Sequence, residues 1–260
     1  MLKYGVTSIN YLSTYFMLIE SKKKKAPNIT INLIGQDNSN ISLEKKDYII
    51  KYLGVFIDSS LSWNKHISYT CSKIAKNTGI VSRLRHYLPL LQLKQLYYTL
   101  IYPYITYAIV AWGSAYKCHL QKIQVKQNHV IRLIFFAKLY GKETDSALPL
   151  LNLLELLTVE NIFHLNILKL VHKWHSNLLP KHFDSWFKYA NKRHNYNTRY
   201  SSKSNLCIPA SKTNLGKQSI SFIAVKIWEK LPQTTRLISN TKSFSKKAKC
   251  HLLSHQIMDS

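Results

Sequence analysis

The pattern of apolar and polar residues divides the chain into a short strand-rich beginning and a long helical remainder. Polar and apolar residues alternate over residues 28–34 (NITINLI), which predicts a half-buried strand. Residues 14–19 are β-branched, aromatic and apolar, and they also predict a strand. A third strand is predicted over residues 51–58 (KYLGVFID), in which Gly54 indicates a bulge or a close backbone approach.

From residue 60 onward the apolar positions recur at three- and four-residue steps, which indicates amphipathic helices. Ser60 or Ser62 is placed to cap the first of them. We predict helices over residues 60–87, 91–112, 116–136, 148–154, 158–178, 183–189, 219–231 and 243–256. Residues 191–215 lack periodicity and predict an extended basic loop. The predicted fold class is mainly α with a small N-terminal β-hairpin or sheet (α+β).

Residues 95–116 (QLYYTLIYPYITYAIVAWGSAY) carry no charge and are long enough to cross a bilayer. The stretch also holds six tyrosines and an internal Pro103. Tyrosine favours the membrane interface, so these hydroxyls do not suit the bilayer centre. A buried helix, or two helix segments bent at Pro103, fits the composition better. A membrane protein spanning this stretch remains the weaker alternative.

The charge of the chain points to a polyanion as partner. It has 37 Lys and Arg residues against 12 Asp and Glu residues, giving a net charge of +25. Residues 59–142 and 185–228 contain no carboxylate at all but many lysines and arginines. Long single-sign stretches in a foldable chain favour RNA or DNA as partner. A free-standing basic RNA- or DNA-binding protein is therefore one hypothesis.

Candidate catalytic chemistry is scarce in this sequence. It contains no phosphate-binding glycine loop, no HExxH or GxSxG motif, and no DxD or DD pair to hold Mg²⁺. Asp58 follows a strand, where a single aspartate usually serves a turn or a cap. His172 and His175 lie one helical turn apart, but no further ligand joins them locally. We predict no catalytic residue, no metal ligand and no cofactor in this chain.

Several segments occur in an order and spacing that is specific as a set. They are KYLGVFIDSSLSWNKHI (51–67), LYYTLIYPYITYAIVAWG (96–113), LQKIQVKQNHVIRLI (120–134), HNYNTR (194–199), FIAVKIWEKLP (222–232) and SFSKKAKCHLL (243–253). The set resembles the region that follows the catalytic palm in reverse transcriptases of non-LTR (LINE-type, jockey/CR1-like) retrotransposons. The resemblance extends over residues 10–253.

This resemblance implies a C-terminal, thumb-containing fragment of an RNA-directed DNA polymerase. It implies the end of the palm with a KYLG hairpin over residues 1–60 and a helical, thumb-like bundle over 61–140. A helical C-terminal region over 141–190 and a basic loop with C-terminal helices over 191–260 follow. The family's catalytic carboxylates, including its YADD box, lie upstream, and this chain has no such box. We therefore expect the chain to be inactive alone, with Mg²⁺ required only by the intact polymerase.

The implied partners are RNA and DNA, as a template–primer duplex, and the palm and fingers of the parent polymerase. No membrane partner is implied, and the nucleus and cytoplasm are the expected compartments of the parent element. Basic side chains would bind the phosphate backbone, because a duplex of this kind is recognised by shape. The predicted nucleic-acid-binding residues are Lys73, Lys76, Arg83, Arg85, Lys122, Lys126, Lys192, Arg193 and Arg199. The resemblance also implies a primer-grip-like hairpin at Lys51, Tyr52, Leu53 and Gly54.

Overall fold

A computed structural model describes residues 15–19, 29–34, 40–42, 44–45, 49–135, 147–190 and 205–258. The chain forms two compact units, and the division between them falls between Ser68 and Tyr69. Each unit is described separately below. The predicted sites Lys192, Arg193 and Arg199 lie outside the described residues.

The described strands of the first unit are short and pair two by two. They are β1 (Tyr15–Phe16), β2 (Asn32–Ile34), β3 (Asn40–Ser42), β4 (Glu44–Lys45), β5 (Ile49–Tyr52) and β6 (Val55–Asp58). Strand β1 pairs with β4 in parallel, whereas β2 with β3 and β5 with β6 are antiparallel pairs. The strands predicted over residues 14–19 and 28–34 are therefore present only in part.

The prediction of one continuous strand over residues 51–58 was wrong, because β5 and β6 form a hairpin. Its two-residue turn is Leu53–Gly54, and both residues have positive φ angles, 45° and 80°. Two such residues make the turn whose twist matches paired strands. Gly54 therefore supplies the turn rather than a bulge, and the hairpin implied by the resemblance is present at KYLG.

Asp58 ends the hairpin and organises the entry into the first helix. Its carboxylate accepts hydrogen bonds from the Ser60 hydroxyl at 2.7 Å and from the backbone N–H groups of Ser62 and Trp63, each at 2.8 Å. Burial raises the pKa of Asp58, but these hydrogen bonds outweigh it, and the pKa lies below its ordinary value. The predicted cap or turn role of Asp58 is thereby confirmed.

Helices make up most of the remaining described chain. They are α1 (Asn64–Leu84), α2 (Leu90–Leu96), α3 (Tyr102–Thr106), α4 (Ile109–Trp112), α5 (Lys117–Phe135), α6 (Leu148–Leu153), α7 (Val159–His175), α8 (Asn214–Lys217), α9 (Ile220–Lys230), α10 (Gln233–Arg236) and α11 (Thr241–Met258). A π-helical segment (Tyr97–Ile101) and a 3₁₀ turn (Lys181–Ser185) complete the set. The fold class predicted from the sequence, mainly α with a small β-hairpin, is confirmed.

The tyrosine-rich stretch is not the single helix predicted over residues 91–112. The π-helical segment joins α2 to α3, and the chain then breaks before α4, where Ala108 has a φ angle of 51°. The bend expected at Pro103 therefore lies four to five residues further on. No helix in the described part of the chain is both long and apolar enough to cross a membrane.

The core of the second unit is centred on α7, which packs against α4, α5, α9 and α11. Its apolar side buries Ile162, Phe163 and Leu165, among others. Gly113 follows α4, and a Cβ atom there would lie 2.2 Å from the Phe163 ring and 2.6 Å from the Ile109 carbonyl oxygen. Only glycine allows this close approach of the two helices.

Candidate nucleic-acid interface

The first group of predicted binding residues lies on the exposed side of α1. Ile74 and Val81 are fully buried on the opposite side. Helical periodicity places Lys73, Lys76 and Arg83 together with Tyr69 on the face turned away from them. The Lys73 ammonium group lies 5.3 Å from the centre of the Tyr69 ring, a cation–π contact. Arg85 lies beyond the end of α1, where its Nε donates to Nε2 of His86 at 3.2 Å.

Helix α5 adds two exposed cations next to α1. Lys122 and Lys126 are exposed, whereas Ile123, Gln127 and Val130 of the same helix are buried. Burial raises the pKa of the Cys71 thiol on α1, and the charges of Lys126 and Lys122 lower it. Both ammonium groups therefore lie within electrostatic range of Cys71.

The cations of these two helices form what we call the α1–α5 basic surface, defined by Lys73, Lys76, Arg83, Lys122 and Lys126. Neither helix contains a carboxylate, and the sequence has none from residue 59 to residue 142. Such a concentration of positive charge attracts polyanions.

A buried polar network fixes α5 against the start of α7. Gln127 is fully buried, and its Nε2 donates to the Tyr97 hydroxyl at 2.8 Å and to the Leu157 carbonyl oxygen at 2.9 Å. Gln124 Nε2 donates to Gln127 Oε1 at 2.9 Å, while its own Oε1 accepts from the Val159 N–H at 2.8 Å. These bonds hold the Lys122 and Lys126 side of α5 in a fixed orientation.

Gln256 of α11 extends this network. Its Oε1 accepts from the Thr158 N–H and from Asn161 Nδ2, each at 3.0 Å, and its Nε2 donates to Asn152 Oδ1 at 2.8 Å. Thr158 caps α7 by accepting from the Asn161 N–H. The C-terminal helix is thus tied to α6 and α7 through one glutamine.

The primer-grip-like residues form the tip of the β5–β6 hairpin in the first unit. Lys51, Tyr52, Leu53 and Gly54 are all exposed. The Lys51 ammonium group lies 5.7 Å from the centre of the Phe56 ring on the paired strand. Phe56 in turn donates its backbone N–H to Nδ1 of His66 at 3.4 Å, which links the hairpin to the beginning of α1.

Members of both histidine pairs make contacts within the described chain. Nε2 of His172 lies 2.7 Å from the Ile238 carbonyl oxygen, and its ring stacks on Phe244 at 4.1 Å. The rings of His251 and His255 meet edge to face at 4.5 Å. Among the described residues, no three His, Cys, Asp or Glu side chains are grouped so as to hold a metal ion.

The sequence analysis missed another group of cations. Lys169 of α7 and Lys246 and Lys249 of α11 line one pocket with Tyr98 and Tyr102. Lys169 and Lys249 are 80 residues apart in the sequence, so no local motif brings them together. The high lysine content of residues 242–249 was the only signal in the sequence.

Two curated proteins are similar to the chain in sequence. An RNA-directed DNA polymerase from the mobile element jockey of Drosophila funebris is 32% identical over 126 residues, which cover 47% of this chain and 13% of that protein. A probable RNA-directed DNA polymerase from transposon X-element of Drosophila melanogaster is 33% identical over 98 residues, covering 36% of this chain and 11% of that protein. No family model matches the chain. No solved structure matches it.

These similarities confirm the resemblance seen in the ordered segments. The matched part spans only about an eighth of the curated relatives' own length. Both relatives are polymerases of transposable elements, and both match at nearly the same level of identity. The chain is therefore similar, over up to half of its length, to the RNA-directed DNA polymerases of jockey-type non-LTR retrotransposons.

Proposed function

We propose that this chain binds a template–primer duplex through the phosphate backbone, as the thumb-containing part of a retrotransposon RNA-directed DNA polymerase. The observation that carries the proposal is the α1–α5 basic surface. Its cations lie on two helices that have no carboxylate; Lys73 is half-buried and the other four are exposed. Neutralising phosphates with such cations releases counterions and drives binding without reading the base sequence.

A rigid support makes this surface suitable for a duplex. Helix α1 has 21 residues and α5 has 19, so each extends about 30 Å at 1.5 Å per residue. A surface of that length can contact successive phosphates along a backbone. The buried Gln127 amide and the half-buried Gln124 amide hold α5 in place. We therefore expect the α1–α5 basic surface to recognise the shape of a duplex.

The hairpin tip is proposed as a second contact, at the primer strand. Tyr52 and Leu53 are 63% and 73% exposed, although both are large side chains that favour burial. Exposed aromatic and apolar side chains on a rigid turn are suited to pack on a sugar or a base. Lys51 adds a cation for an adjacent phosphate.

The test of duplex binding compares two variants with the same net charge. The first replaces Lys73, Lys76, Lys122 and Lys126 with glutamine, and the control replaces the exposed Lys181, Lys188, Lys217 and Lys226. We expect the first variant to bind a short RNA–DNA duplex about 100-fold more weakly than the wild type, and the control to lose less than about fivefold. Equal losses in both variants would contradict the proposal, because they would reflect net charge alone.

Catalysis is proposed to require carboxylates that this sequence does not carry. The sequence has no YADD box and no DxD or DD pair, and two-metal polymerisation needs clustered carboxylates to hold Mg²⁺. We expect the chain alone to bind a primed template without extending it, in a primer-extension assay with Mg²⁺ and all four nucleotides. Clear primer extension by this chain alone would overturn this part of the proposal.

A further inference from the structure

A pocket lies between the tyrosine-rich stretch, α7 and α11. Its volume is about 370 Å³, which is within the range of small-molecule sites. Leu157 and Leu165 form part of its apolar wall, and Tyr98 and Tyr102 line another side. None of the residues of the α1–α5 basic surface lines it, so it is a separate site.

Three lysines converge on this pocket. Lys246 and Lys249 lie three residues apart on α11, hence on one side of that helix. Lys169 reaches the pocket from α7 and is half-buried. No carboxylate is among the lining residues; the exposed Glu155 is the acidic group that influences Tyr98 from outside.

Holding these cations together without an anion is unfavourable. Burial lowers the pKa of Lys169, and the charges of Lys173 and Lys249 lower it further. A bound anion would offset both the repulsion and the loss of hydration. The lysines at this pocket therefore favour binding of an anion.

The two tyrosines add neutral donors beside the cations. Burial raises the pKa of both Tyr98 and Tyr102, so each keeps its phenol proton at neutral pH. Their rings pack edge to face at 5.3 Å, which fixes both side chains. Ammonium groups and phenol hydroxyls around an apolar wall suit a phosphate group attached to an organic body.

We propose that this pocket, formed by Tyr98, Tyr102, Lys169, Lys246 and Lys249, binds a phosphate group carried by a free nucleotide or by the 5′ end of a nucleic-acid strand. The site goes beyond the proposed duplex grip, because its residues lie on other helices. Three cations provide the charge, and a volume of about 370 Å³ gives room for a terminal or free phosphate.

The test measures binding of two phosphate probes to the full chain, each with a matched partner that lacks phosphate. One probe is a deoxynucleoside triphosphate paired with its nucleoside, and the other is a short single strand with and without a 5′ phosphate. We expect at least one phosphorylated probe to bind about tenfold more tightly than its partner. If neither phosphorylated probe gains affinity over its partner, the proposal is wrong.

Two double variants test whether the phosphate probe binds in the pocket. Replacing both Lys246 and Lys249 with glutamine should lower the affinity for the more tightly bound phosphorylated probe about tenfold. Replacing the exposed Lys181 and Lys226 with glutamine removes the same charge elsewhere. This control should change the affinity for that probe less than about twofold. Equal losses of affinity in the two double variants would contradict binding in this pocket. Circular dichroism of each variant confirms that α11 is still folded.

Failure of the pocket proposal can be distinguished from failure of the proposed duplex binding. The quadruple variant of the α1–α5 basic surface should bind the favoured phosphate probe within about twofold of the wild type. If that variant loses the probe while the Lys246 and Lys249 variant keeps it, the phosphate site lies on the α1–α5 surface and the pocket proposal is wrong. If the quadruple variant keeps its affinity for the duplex, but the Lys246 and Lys249 variant loses affinity for the phosphate probe, the pocket proposal holds and the duplex proposal fails.

Discussion

Gln127 shows how much a single buried amide does in this fold. It is fully buried, and it bonds to Tyr97, to the Leu157 carbonyl and to Gln124. Buried polar groups of this kind stabilise a structure only while every partner is satisfied. The sequence pattern placed Gln127 on the inward side of α5, but it could not identify partners that lie 30 residues away on either side.

Replacing Gln127 with methionine should lower the free energy of unfolding by about 2 to 3 kcal/mol. Methionine has a similar length, so the loss comes from the Tyr97 hydroxyl and the Leu157 carbonyl left without their donor. Urea denaturation measures the change. The control is Gln121→Met on the exposed side of the same helix, expected to stay within about 0.5 kcal/mol of the wild type. Equal losses would show that the network contributes nothing specific.

The buried Tyr97 phenol should make the fold sensitive to alkaline pH. Burial raises its pKa above the ordinary value of 10.0, although the hydrogen bond from Gln127 opposes this. Its contribution to stability is therefore complete below about pH 10 and is lost as the pH rises further, by up to about 1.4 kcal/mol per pH unit. Tyr97→Phe should reduce this slope, measured by urea denaturation from pH 9 upward. An unchanged slope in the variant would contradict the prediction.

At the scale of elements, the tyrosine-rich stretch is where structure and sequence pattern differ most. Its apolar residues occur on all sides, so periodicity gives no boundary between α2 and α4. Pro103 is the visible helix breaker, yet the π-helical segment before it accommodates the proline: the Tyr102 N–H bonds to the Tyr97 carbonyl, five residues back. The break falls instead at Ala108, which carries no sequence signal for a turn.

Ala108→Gly should raise the free energy of unfolding by up to about 1 kcal/mol. Alanine at a φ of 51° pays a steric cost that glycine does not. The matched control is Ala111→Gly within α4, where glycine should instead lower the free energy of unfolding by about 1 kcal/mol. Thermal or urea unfolding of the two variants gives the comparison. A loss of stability in both variants would count against strain at Ala108.

Elements with a clear period and clear ends were predicted well. Helices α5, α7 and α9 lie within three residues of their predicted bounds, because proline, glycine or a capping Thr158 or Ser219 marks their ends. The β5–β6 hairpin was misread as one strand because Leu53 replaces the asparagine or aspartate usual before the turn glycine. The short helices α8 and α10 were not predicted, since four residues are too few to show a period.

For the whole molecule, the distribution of charge decides what the fold can bind. The sequence identified Lys73, Lys76, Lys122 and Lys126 as candidate binding residues, and helical periodicity separates all four from the buried positions. It could not show that Lys122 and Lys126 of α5 lie within electrostatic range of Cys71 on α1. Nor could it bring Lys169 and Lys249 to one pocket, because that depends on the packing of α7 against α11.

The salt dependence of duplex binding is the sharpest test of the charge distribution. Four phosphate contacts from Lys73, Lys76, Lys122 and Lys126 should contribute a slope of about −3.6 to log K against log salt concentration. Between about 50 and about 200 mM salt, these four lysines alone should cost about 100-fold in affinity.

The glutamine variant at these four positions should therefore have a slope smaller by about 3 to 4, measured by fluorescence anisotropy with a short RNA–DNA duplex. The charge-matched control at Lys181, Lys188, Lys217 and Lys226 should keep nearly the full slope, since counterions are released only where cations meet phosphates. Duplexes of unrelated base sequence should give the same slopes, because the contacts are to the backbone. A wild-type slope near zero would contradict the phosphate grip, whatever the affinity at a single salt concentration.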